Sequence, residues 1–439
     1  MEILRSIMND MCDKYLSIMI NGIFGSRKSL DQIRPCISDD YSYHGSRKVS
    51  VQMPFGTHQE IKSHWLKKKP STGRRKRGPK TKDSKRKGSH IFLDLLGFEG
   101  LVSQPLYSKA LKMSALCPSS EIASEILKDY NITFSQNKMR RHISNFVDLS
   151  DDERANLSCI PQESLSGKKV LLCVDGGRIR SRVNKSGRIA EGNQRHGFHT
   201  DWKEPKMFTI YTLKENGEID EHFPAQIDGV VGNEKQFQGL LEAYLKKLKI
   251  SECKSVTFVG DGAKWQWLKI PALLKKLKVK KSQVVEVIDY MHAKQNLHGI
   301  LENCSKGLLN AHWSDLQVEA EDLLYSGKVE ELGALIKNHS NKGFKRENQQ
   351  KWQSYFLGNA KRMKYQQFKE NGHPIGSGSV ESAIRRVINL RIKSPAIFWK
   401  VENAEAMIFI RSKVLYGRWD TVMSNIREKK RKTLLKNEL

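Results

Sequence analysis

The stretch that most constrains the fold is Lys169 to Gly177, KVLLCVDGG. Its apolar run is too short for a stable helix and is rich in β-branched residues, which favours a buried strand ending at Asp175. A second run, Ser255 to Gly260, ends in the same way and is followed by Asp261. Open α/β sheets place ligands at the carboxyl ends of their strands. If the strands are neighbours, the two aspartates can share a divalent metal. The alternative is that each Asp-Gly pair is an ordinary turn.

The charge of the chain is strongly one-sided. Its 439 residues carry 76 Lys and Arg against 48 Asp and Glu, a formal net charge of +28 with a pI near 9.7. These values favour a polyanion partner, DNA or RNA, over an acidic membrane surface. No apolar stretch approaches the ~18 residues that span a bilayer, and the N-terminus has no signal-peptide pattern. The seven cysteines form no CxxC pair, which fits a reducing cytosol.

The N-terminal third of the chain contains a dense basic run. Residues 1–66 are interpreted as partly helical and then irregular, and residues 67–90 as a basic arm. Prolines and glycines in the arm predict flexibility rather than a helix. A block of one sign is expected to follow a phosphate backbone without sequence preference, although a solvated linker is the alternative. The central basic residues of the arm are Arg74, Arg75, Lys76 and Arg77.

Residues 91–148 are predicted to form a helical DNA-binding region. Ser119 and Ser135 precede two segments with apolar residues at helical spacing, and serine is a favoured helix N-cap. A short turn joins the two segments. Helix, turn and basic second helix fit a helix-turn-helix that contacts DNA, although any two-helix hairpin would look similar. The basic residues of the second helix are Lys138, Arg140 and Arg141.

The order of elements after the first strand predicts a mixed sheet. Two more strands follow, joined by a hairpin turn at Asn216-Gly217, and then two helix-plus-strand units that end at Ile288. Three meandering strands and two crossovers give an α/β fold with a mixed five-stranded sheet in residues 167–291. Three further regions follow: an all-α insertion in 292–370, the last helices of the same domain in 371–425, and a basic tail in 426–439.

A third carboxylate also stands out, and the sequence offers two candidates for it. Asp289 ends the last strand, whereas Glu381 lies at a helix start after a turn containing Pro and Gly. Strands lie ~4.8 Å apart, so Asp289 is expected ~10 Å from Asp175, too far to share an ion bound at ~2.1 Å. The prediction is therefore Asp175, Asp261 and Glu381, and Asp289→Asn is expected to leave substantial activity. Oxygen ligands of this type suit two Mg²⁺ or Mn²⁺ ions at a phosphodiester.

Four motifs, VDGGRIRSR, GDGAKW, DYMHAKQNL and GSGSVESAIRRVINLRIKS, follow one another along the chain. They resemble the ISKra-type DDE transposases of bacterial insertion sequences, over roughly residues 67–420. The resemblance implies a ribonuclease-H-like catalytic domain with Asp175, Asp261 and Glu381 as its catalytic triad and metal ligands. His292 matches a family position. It is a candidate auxiliary residue that orients substrate or water, and a structural histidine is the alternative.

The resemblance also implies partners and substrates. The protein is expected to bind the terminal inverted repeats of an insertion sequence and a target DNA, to cut the ends and to join them to the target. It is expected to act as a homo-oligomer on DNA, in the cytoplasm at the bacterial nucleoid. A catalytically inactive DNA-binding regulator and a structure-selective nuclease on the same fold stay open as alternatives. Phosphate contacts near the site are expected from Arg178, Arg180, Arg385, Arg386 and Arg391.

Overall fold

The computed structural model describes most of the chain, in two compact units. The first unit comprises Met1–Cys159 and Gly417–Leu439, and the second comprises Ile160–Tyr416. None of the described helices is long and apolar enough to cross a membrane. The predicted arm residues 74–77 lie outside the described part of the chain. The described residues are 1–69, 88–157, 160, 164–189, 192, 196–304, 310–339, 346–393 and 397–436.

The first unit combines helices with a three-stranded antiparallel sheet. Strands β1 and β2 form a long hairpin, and β3 pairs with β2. The prediction that residues up to 66 become irregular after their helical start is therefore wrong. The hairpin was missed because most residues of β1 are polar, so the strand lacks the alternation of a half-buried one. The elements are α1 (Glu2–Phe24), α2 (Arg27–Ile33), β1 (Tyr41–Gln52), β2 (His58–Lys68), β3 (Gly88–His90), α3 (Ile91–Leu95), α4 (Gln104–Leu116), α5 (Ser120–Lys128), α6 (Gln136–Asn156) and, from the other end of the chain, α16 (Trp419–Leu434).

The two helices α5 and α6 have the caps that the sequence predicts. The hydroxyl of Ser119 accepts from the backbone N–H of Ile122 at 3.1 Å, and that of Ser135 accepts from Lys138 at 3.2 Å. Helix α6 continues past residue 148, the predicted end of the helical region, because its inner face stays buried to Arg154. The helix pair is therefore present, and its contact with DNA stays a prediction.

The second unit is built on a mixed five-stranded sheet, which confirms this part of the predicted fold. The order across the sheet is β10-β9-β4-β7-β8, with β10, β9 and β4 parallel and β7 and β8 antiparallel to their neighbours. Strands β7 and β8 are buried at every residue, as is typical of strands covered on both faces. The strands are β4 (Lys169–Gly176), β7 (Lys206–Leu213), β8 (Gln226–Val230), β9 (Ser255–Gly260) and β10 (Val284–Ile288).

A separate two-stranded hairpin, β5 (Ile179–Asn184) and β6 (Phe198–Lys203), lies between β4 and β7 in the chain. The sequence analysis predicted no strand there, because the segment is polar and glycine-rich. The predicted turn at Asn216-Gly217 is present, with Gly217 at φ +86°. Strand β8 begins only at Gln226, so its pairing with β7 starts farther from the turn than a tight hairpin requires.

Helices make up the rest of the second unit. Helix α7 connects β8 to β9, and α8 connects β9 to β10. Helices α9 to α13 occupy the region predicted as the all-α insertion. The predicted boundary at residue 425 falls inside α16, so most of the predicted basic tail continues a helix of the first unit. The helices are α7 (Glu234–Lys247), α8 (Lys264–Lys276), α9 (Tyr290–Cys304), α10 (Asn310–Tyr325), α11 (Val329–Asn338), α12 (Arg346–Lys351), α13 (Tyr365–Glu370), α14 (Gly378–Ile384) and α15 (Val401–Leu415).

Candidate active site

Two aspartates lie at the carboxyl ends of neighbouring strands of the central sheet. The adjacent parallel strands β4 and β9 place Cys173 opposite Val259. Asp175 and Asp261 each lie two residues beyond that pair, so both side chains reach the carboxyl end of the sheet. Both aspartates line one cleft of about 690 Å³. The neighbour relation that the sequence predicts for their strands is therefore observed.

Local hydrogen bonds hold both carboxylates. Oδ1 of Asp175 accepts from the backbone N–H of Gly176 at 2.6 Å, and Oδ1 of Asp261 accepts from that of Ala263 at 2.9 Å. Gly262 has φ +101°, and a Cβ atom there would lie 2.5 Å from the ring of Tyr355. Any side chain at this position would be strained as well as crowded. The Asp-Gly turn after β9 therefore also fixes a carboxylate at the cleft.

Burial and neighbouring carboxylates shift the pKa of Asp175 in the cleft. Burial, together with the charges of Asp261 and Glu381, raises the pKa of Asp175 to about 6. A hydrogen bond from Gly176 and the charge of His292 act in the opposite direction. Carboxylates that disfavour one another's ionisation in this way are well suited to a cation, which would neutralise them.

Glu381 lies in the first turn of helix α14, near the same end of the sheet. Its Oε1 accepts from the hydroxyl of Ser377 at 3.0 Å and lies 4.0 Å from Nδ1 of His292. The helix packs on β4, with Oγ of Ser379 3.5 Å from Sγ of Cys173. The three acids selected from the sequence therefore lie near one another at the carboxyl end of the central strands.

Asp289 holds the start of α14 in place. Its buried carboxylate accepts from the backbone N–H of His292 at 2.7 Å and from that of Ser377 at 2.5 Å, and it lies 3.1 Å from Nδ1 of His292. One potential ligand atom from each of Asp289, His292 and Glu381 lies within 4.8 Å of the others. The sequence analysis excluded Asp289 from the metal site on the basis of strand spacing. It missed this arrangement because the hydrogen bond joins Ser377 to Asp289, 88 residues earlier in the chain.

The Asp289–His292 pair is ionic at neutral pH. Burial acts to raise the pKa of Asp289, but hydrogen bonds from His292 and Ser377 outweigh it and hold the pKa below its ordinary value. The hydrogen bond to Asp289 raises the pKa of His292 to about 9. Both oxygens of Asp289 already accept hydrogen bonds, so a cation there would compete with the donors. Asp289 therefore suits a positioning role better than metal ligation.

Basic side chains line the cleft beside the aspartates. Arg178 lies there with its guanidinium carbon 4.6 Å from the centre of the Trp202 ring. Lys203 and Lys393 line the same cleft. Lys203 was missed from the sequence because it belongs to the β5–β6 hairpin, which brings the end of β6 back beside Arg178. Lys203 also pairs with Asp201 at 2.7 Å, and all three cations line the cleft that contains Asp175.

The other predicted phosphate contacts of the second unit differ in burial. Arg385 and Arg386 are exposed, and Arg180 is half-buried. Arg391 is only 2% exposed and lies 5.0 Å from the ring of Trp399. The prediction that Arg391 contacts phosphate is therefore wrong for this conformation, since its guanidinium packs inside the unit.

The basic residues predicted to contact DNA from α6 also differ in burial. Arg140 and Arg141 are exposed. Lys138 is half-buried, donates to Oε1 of Gln52 at 2.5 Å, and lies 4.6 Å from the ring of Phe134. Burial lowers the pKa of Lys138. Lys138 therefore anchors α6 within its own unit and is poorly placed for the predicted DNA contact.

The chain shows only slight similarity to known proteins. No protein-family model matches it, and no curated protein sequence matches it. Among solved structures, the Drosophila P element transposase strand transfer complex is similar over 75% of this chain and 82% of that chain, at 11% identity and a TM-score of 0.25. A likeness of this size carries no argument about fold or function. The ISKra-type family and the ribonuclease-H-like fold therefore stay predictions from the sequence motifs.

Proposed function

We propose that the protein is a DDE transposase that binds insertion-sequence ends, cleaves DNA and joins the freed 3′ end to target DNA. The observation that carries this proposal is the grouping of Asp175, Asp261 and Glu381 at the carboxyl end of the central strands. Arg178, Lys203 and Lys393 line the same cleft as the two aspartates. The four motifs that resemble ISKra-type transposases support the same assignment, within a ribonuclease-H-like domain.

The three carboxylates fit divalent cations. Asp175, Asp261 and Glu381 offer the hard oxygen ligands that Mg²⁺ and Mn²⁺ prefer. Burial and the neighbouring carboxylates raise the pKa of Asp175, and a bound cation would favour its charged form. Two such ions, when bound, would supply activation of the attacking oxygen and stabilisation of the leaving oxygen at a phosphodiester. Asp289 keeps Glu381 in place through its hydrogen bond to the backbone of Ser377.

The protein's own cations would bind and orient the DNA strand. Arg178, Lys203 and Lys393 would neutralise phosphates on either side of the scissile bond. The exposed Arg140 and Arg141 on α6 would contact the terminal inverted repeat. The net charge of +28 would add affinity without sequence preference. Catalysis on paired ends would take place in a homo-oligomer at the bacterial nucleoid.

The test is the cleavage of a labelled element end by purified variants at saturating Mg²⁺ or Mn²⁺. Glu381→Gln should reduce cleavage below detection and leave DNA binding intact, because it removes a ligand charge without changing the shape of the side chain. Glu402→Gln, an exposed change of the same type on α15, is the matched control and should cleave normally. Normal cleavage by Glu381→Gln would refute the triad.

The alternatives give different results in the same assay. A catalytically inactive regulator would bind the end but would not cleave it under any metal condition. A structure-selective nuclease would cleave without producing joined strands when a target duplex is present. Joined products that depend on Glu381 would favour the transposase.

A further inference from the structure

The inner face of helix α1 is mainly polar, with Ile20 buried in the core. Most of the other apolar side chains of the helix lie on its outer face. On the inner face Asp13 is fully buried and accepts from the backbone N–H groups of Phe55 and Thr57, both at 3.2 Å. Asn21 bridges to the backbone of β2, donating to the carbonyl of Glu60 at 3.0 Å. The inner face is therefore already bonded to the β1–β2 hairpin, so the helix cannot turn its apolar face inward without breaking these bonds.

The outward face carries a stripe of apolar residues spaced alternately by four and three positions. Each stripe residue is between 61% and 67% exposed. This spacing is the a/d pattern with which one α-helix packs against another in a coiled coil. At 1.5 Å per residue the 23 residues of α1 extend roughly 34 Å. The stripe residues are Leu4, Met8, Met11, Tyr15 and Ile18.

The exposed apolar area on α1 is large for an isolated surface. Further exposed apolar side chains flank the stripe, and the whole face exposes on the order of 1,000 Å², against a few hundred Å² for the largest patch of an ordinary monomer. A standard stable interface buries about 800 Å² on each partner. The stripe and its flanking residues together therefore offer an apolar area of the size that a specific dimer buries. The flanking residues are Ile3, Ile7, Leu16, Met19 and Ile23.

The charge of α1 favours a second copy of the same helix over a polyanion. The helix has three acidic residues, Glu2, Asp10 and Asp13, against Arg5 and Lys14, a net charge of −1 within a chain of +28. Asp10 and Lys14 pair with each other at 2.7 Å. Two strongly basic chains repel one another, and a nearly neutral apolar helix is a surface on which they can meet. A helix that bound an anionic membrane or DNA would carry an excess of Lys and Arg.

The chain's longest undescribed segment is not suited to cover this face. Residues 70–87 contain no Leu, Ile, Val, Met, Phe, Tyr or Trp. Since the partner must supply an apolar surface of matching length, we propose that α1 of one chain packs against α1 of a second chain, forming a two-fold symmetric homodimer. The pairing is independent of DNA and of the proposed catalysis. Because the inner face already fixes each helix, little ordering is required on association.

The test is the molar mass of the full-length protein, measured by light scattering after gel filtration. High salt and the absence of DNA exclude bridging by nucleic acid. The wild type should have twice the 50.4 kDa mass of the chain. The double variant Met11→Glu, Ile18→Glu should have the mass of one chain, because carboxylates would be buried at both positions. Both side chains are exposed in the single chain, so the variant should fold and its circular dichroism should match the wild type.

The control is Ile122→Glu, which places the same charge at an exposed apolar position on α5 and should stay dimeric. A wild-type monomer over the whole concentration range would overturn the proposal, and so would a dimer that survives the double substitution. Sedimentation with vesicles of anionic lipid distinguishes the other partner. Binding to vesicles by a wild-type monomer, lost in the double variant, would assign the stripe to a membrane surface instead.

Discussion

His142 is a buried imidazole on α6, in the core of the first unit. Its ring packs edge-on against Tyr107 and Phe134, with ring centroids 5.1 and 5.5 Å away. Among the described residues, neither of its ring nitrogens has a hydrogen-bond partner. Burial, together with the charges of Lys138 and Arg141, lowers the pKa of His142 to about 4. The folded unit therefore keeps the ring neutral.

This imidazole should make the first unit sensitive to acid. The unfolded chain takes up a proton near the ordinary pKa of 6.5, whereas the folded unit does so only near 4. Stability is therefore lost as the pH falls from 6.5 towards 4, by on the order of 2 kcal/mol between pH 7 and pH 5. Calorimetric unfolding at both pH values should show a smaller loss for His142→Leu than for the wild type. His44→Leu, at an exposed position on β1, should behave like the wild type, and an equal loss in all three would contradict the assignment.

At the residue scale, the sequence indicated which acidic residues to select as candidates, but it did not indicate which basic residues are buried. Asp175 and Asp261 could be selected because each follows a buried strand, which fixes the direction of the chain. Arg391 could not be distinguished from the exposed Arg385, because its burial depends on Trp399, which packs over it only in the folded unit. The half-buried position of Lys138 likewise depends on Gln52 from a distant hairpin.

Helix α14 depends on its first turn for its position. The helix has only seven residues, too few to be stable without tertiary contacts. The backbone N–H of Ser377, just before the helix, donates to Asp289 at the end of β10. Glu381 follows within the same turn. The end of one strand therefore determines where a carboxylate on a separate helix can lie.

Asp289→Asn should lower DNA cleavage substantially, which revises the expectation from strand spacing. The amide can accept through one atom only, so one of the N–H groups of Ser377 and His292 loses its partner. A buried donor left unpaired costs about 1–3 kcal/mol. Cleavage should fall by roughly tenfold, corresponding to about 1.4 kcal/mol, and more at limiting than at saturating Mg²⁺, because α14 shifts while Glu381 keeps its charge.

The measurement is the cleavage rate as a function of metal concentration, compared with the wild type and with Asp315→Asn, a control at an exposed position on α10. DNA binding should be unchanged in both variants. Wild-type rates for Asp289→Asn at every metal concentration would show that the position of α14 does not depend on this carboxylate.

At the scale of elements, local chemistry predicted local structure. The caps at Ser119 and Ser135 could be identified because a serine side chain bonds the helix that follows it directly. The order of the parallel strands followed from the short crossovers through α7 and α8. The β1–β2 hairpin could not be found in the same way, since its stability comes from helices that pack on it rather than from its own pattern.

The first unit is completed by helix α16, which returns from the far end of the chain. The indole N–H of Trp419 donates to the hydroxyl of Ser108 at 2.8 Å, and its ring lies 5.5 Å from that of Phe146. Lys430 pairs with Asp94 at 2.8 Å and with Glu99 at 3.1 Å. Burial acts to lower the pKa of Lys430, but these two carboxylates outweigh it and raise the pKa above its ordinary value.

Trp419→Ala should destabilise the first unit strongly and leave the second unit intact. Replacing a buried Trp by Ala costs about 3–5 kcal/mol. Limited proteolysis should cut the first unit, including α4 and α6, while residues 160–416 stay resistant. Leu116→Ala, at a half-exposed position on α4, is the control and should be cut no faster than the wild type. Equal resistance of the Trp419 variant would show that the unit does not need α16.

At the scale of the whole molecule, the sequence predicted the mixed α/β fold from the order of its strands and helices. It did not predict that the last helix belongs with the first 159 residues. A helix with apolar residues on one face can pack on any complementary surface, so its periodicity does not say which part of the chain it joins.

Because α16 is synthesised last, it also determines when the first unit can finish folding during synthesis. The two parts of the first unit are separated by residues 160–416, 257 residues in all. At ~5–20 residues per second, a ribosome needs roughly 10–50 s to traverse that distance. The second unit is continuous and can be complete before the first unit receives its last helix. A nascent chain therefore carries an unfinished amino-terminal unit for most of its synthesis, and we expect chaperones to be most needed in that interval.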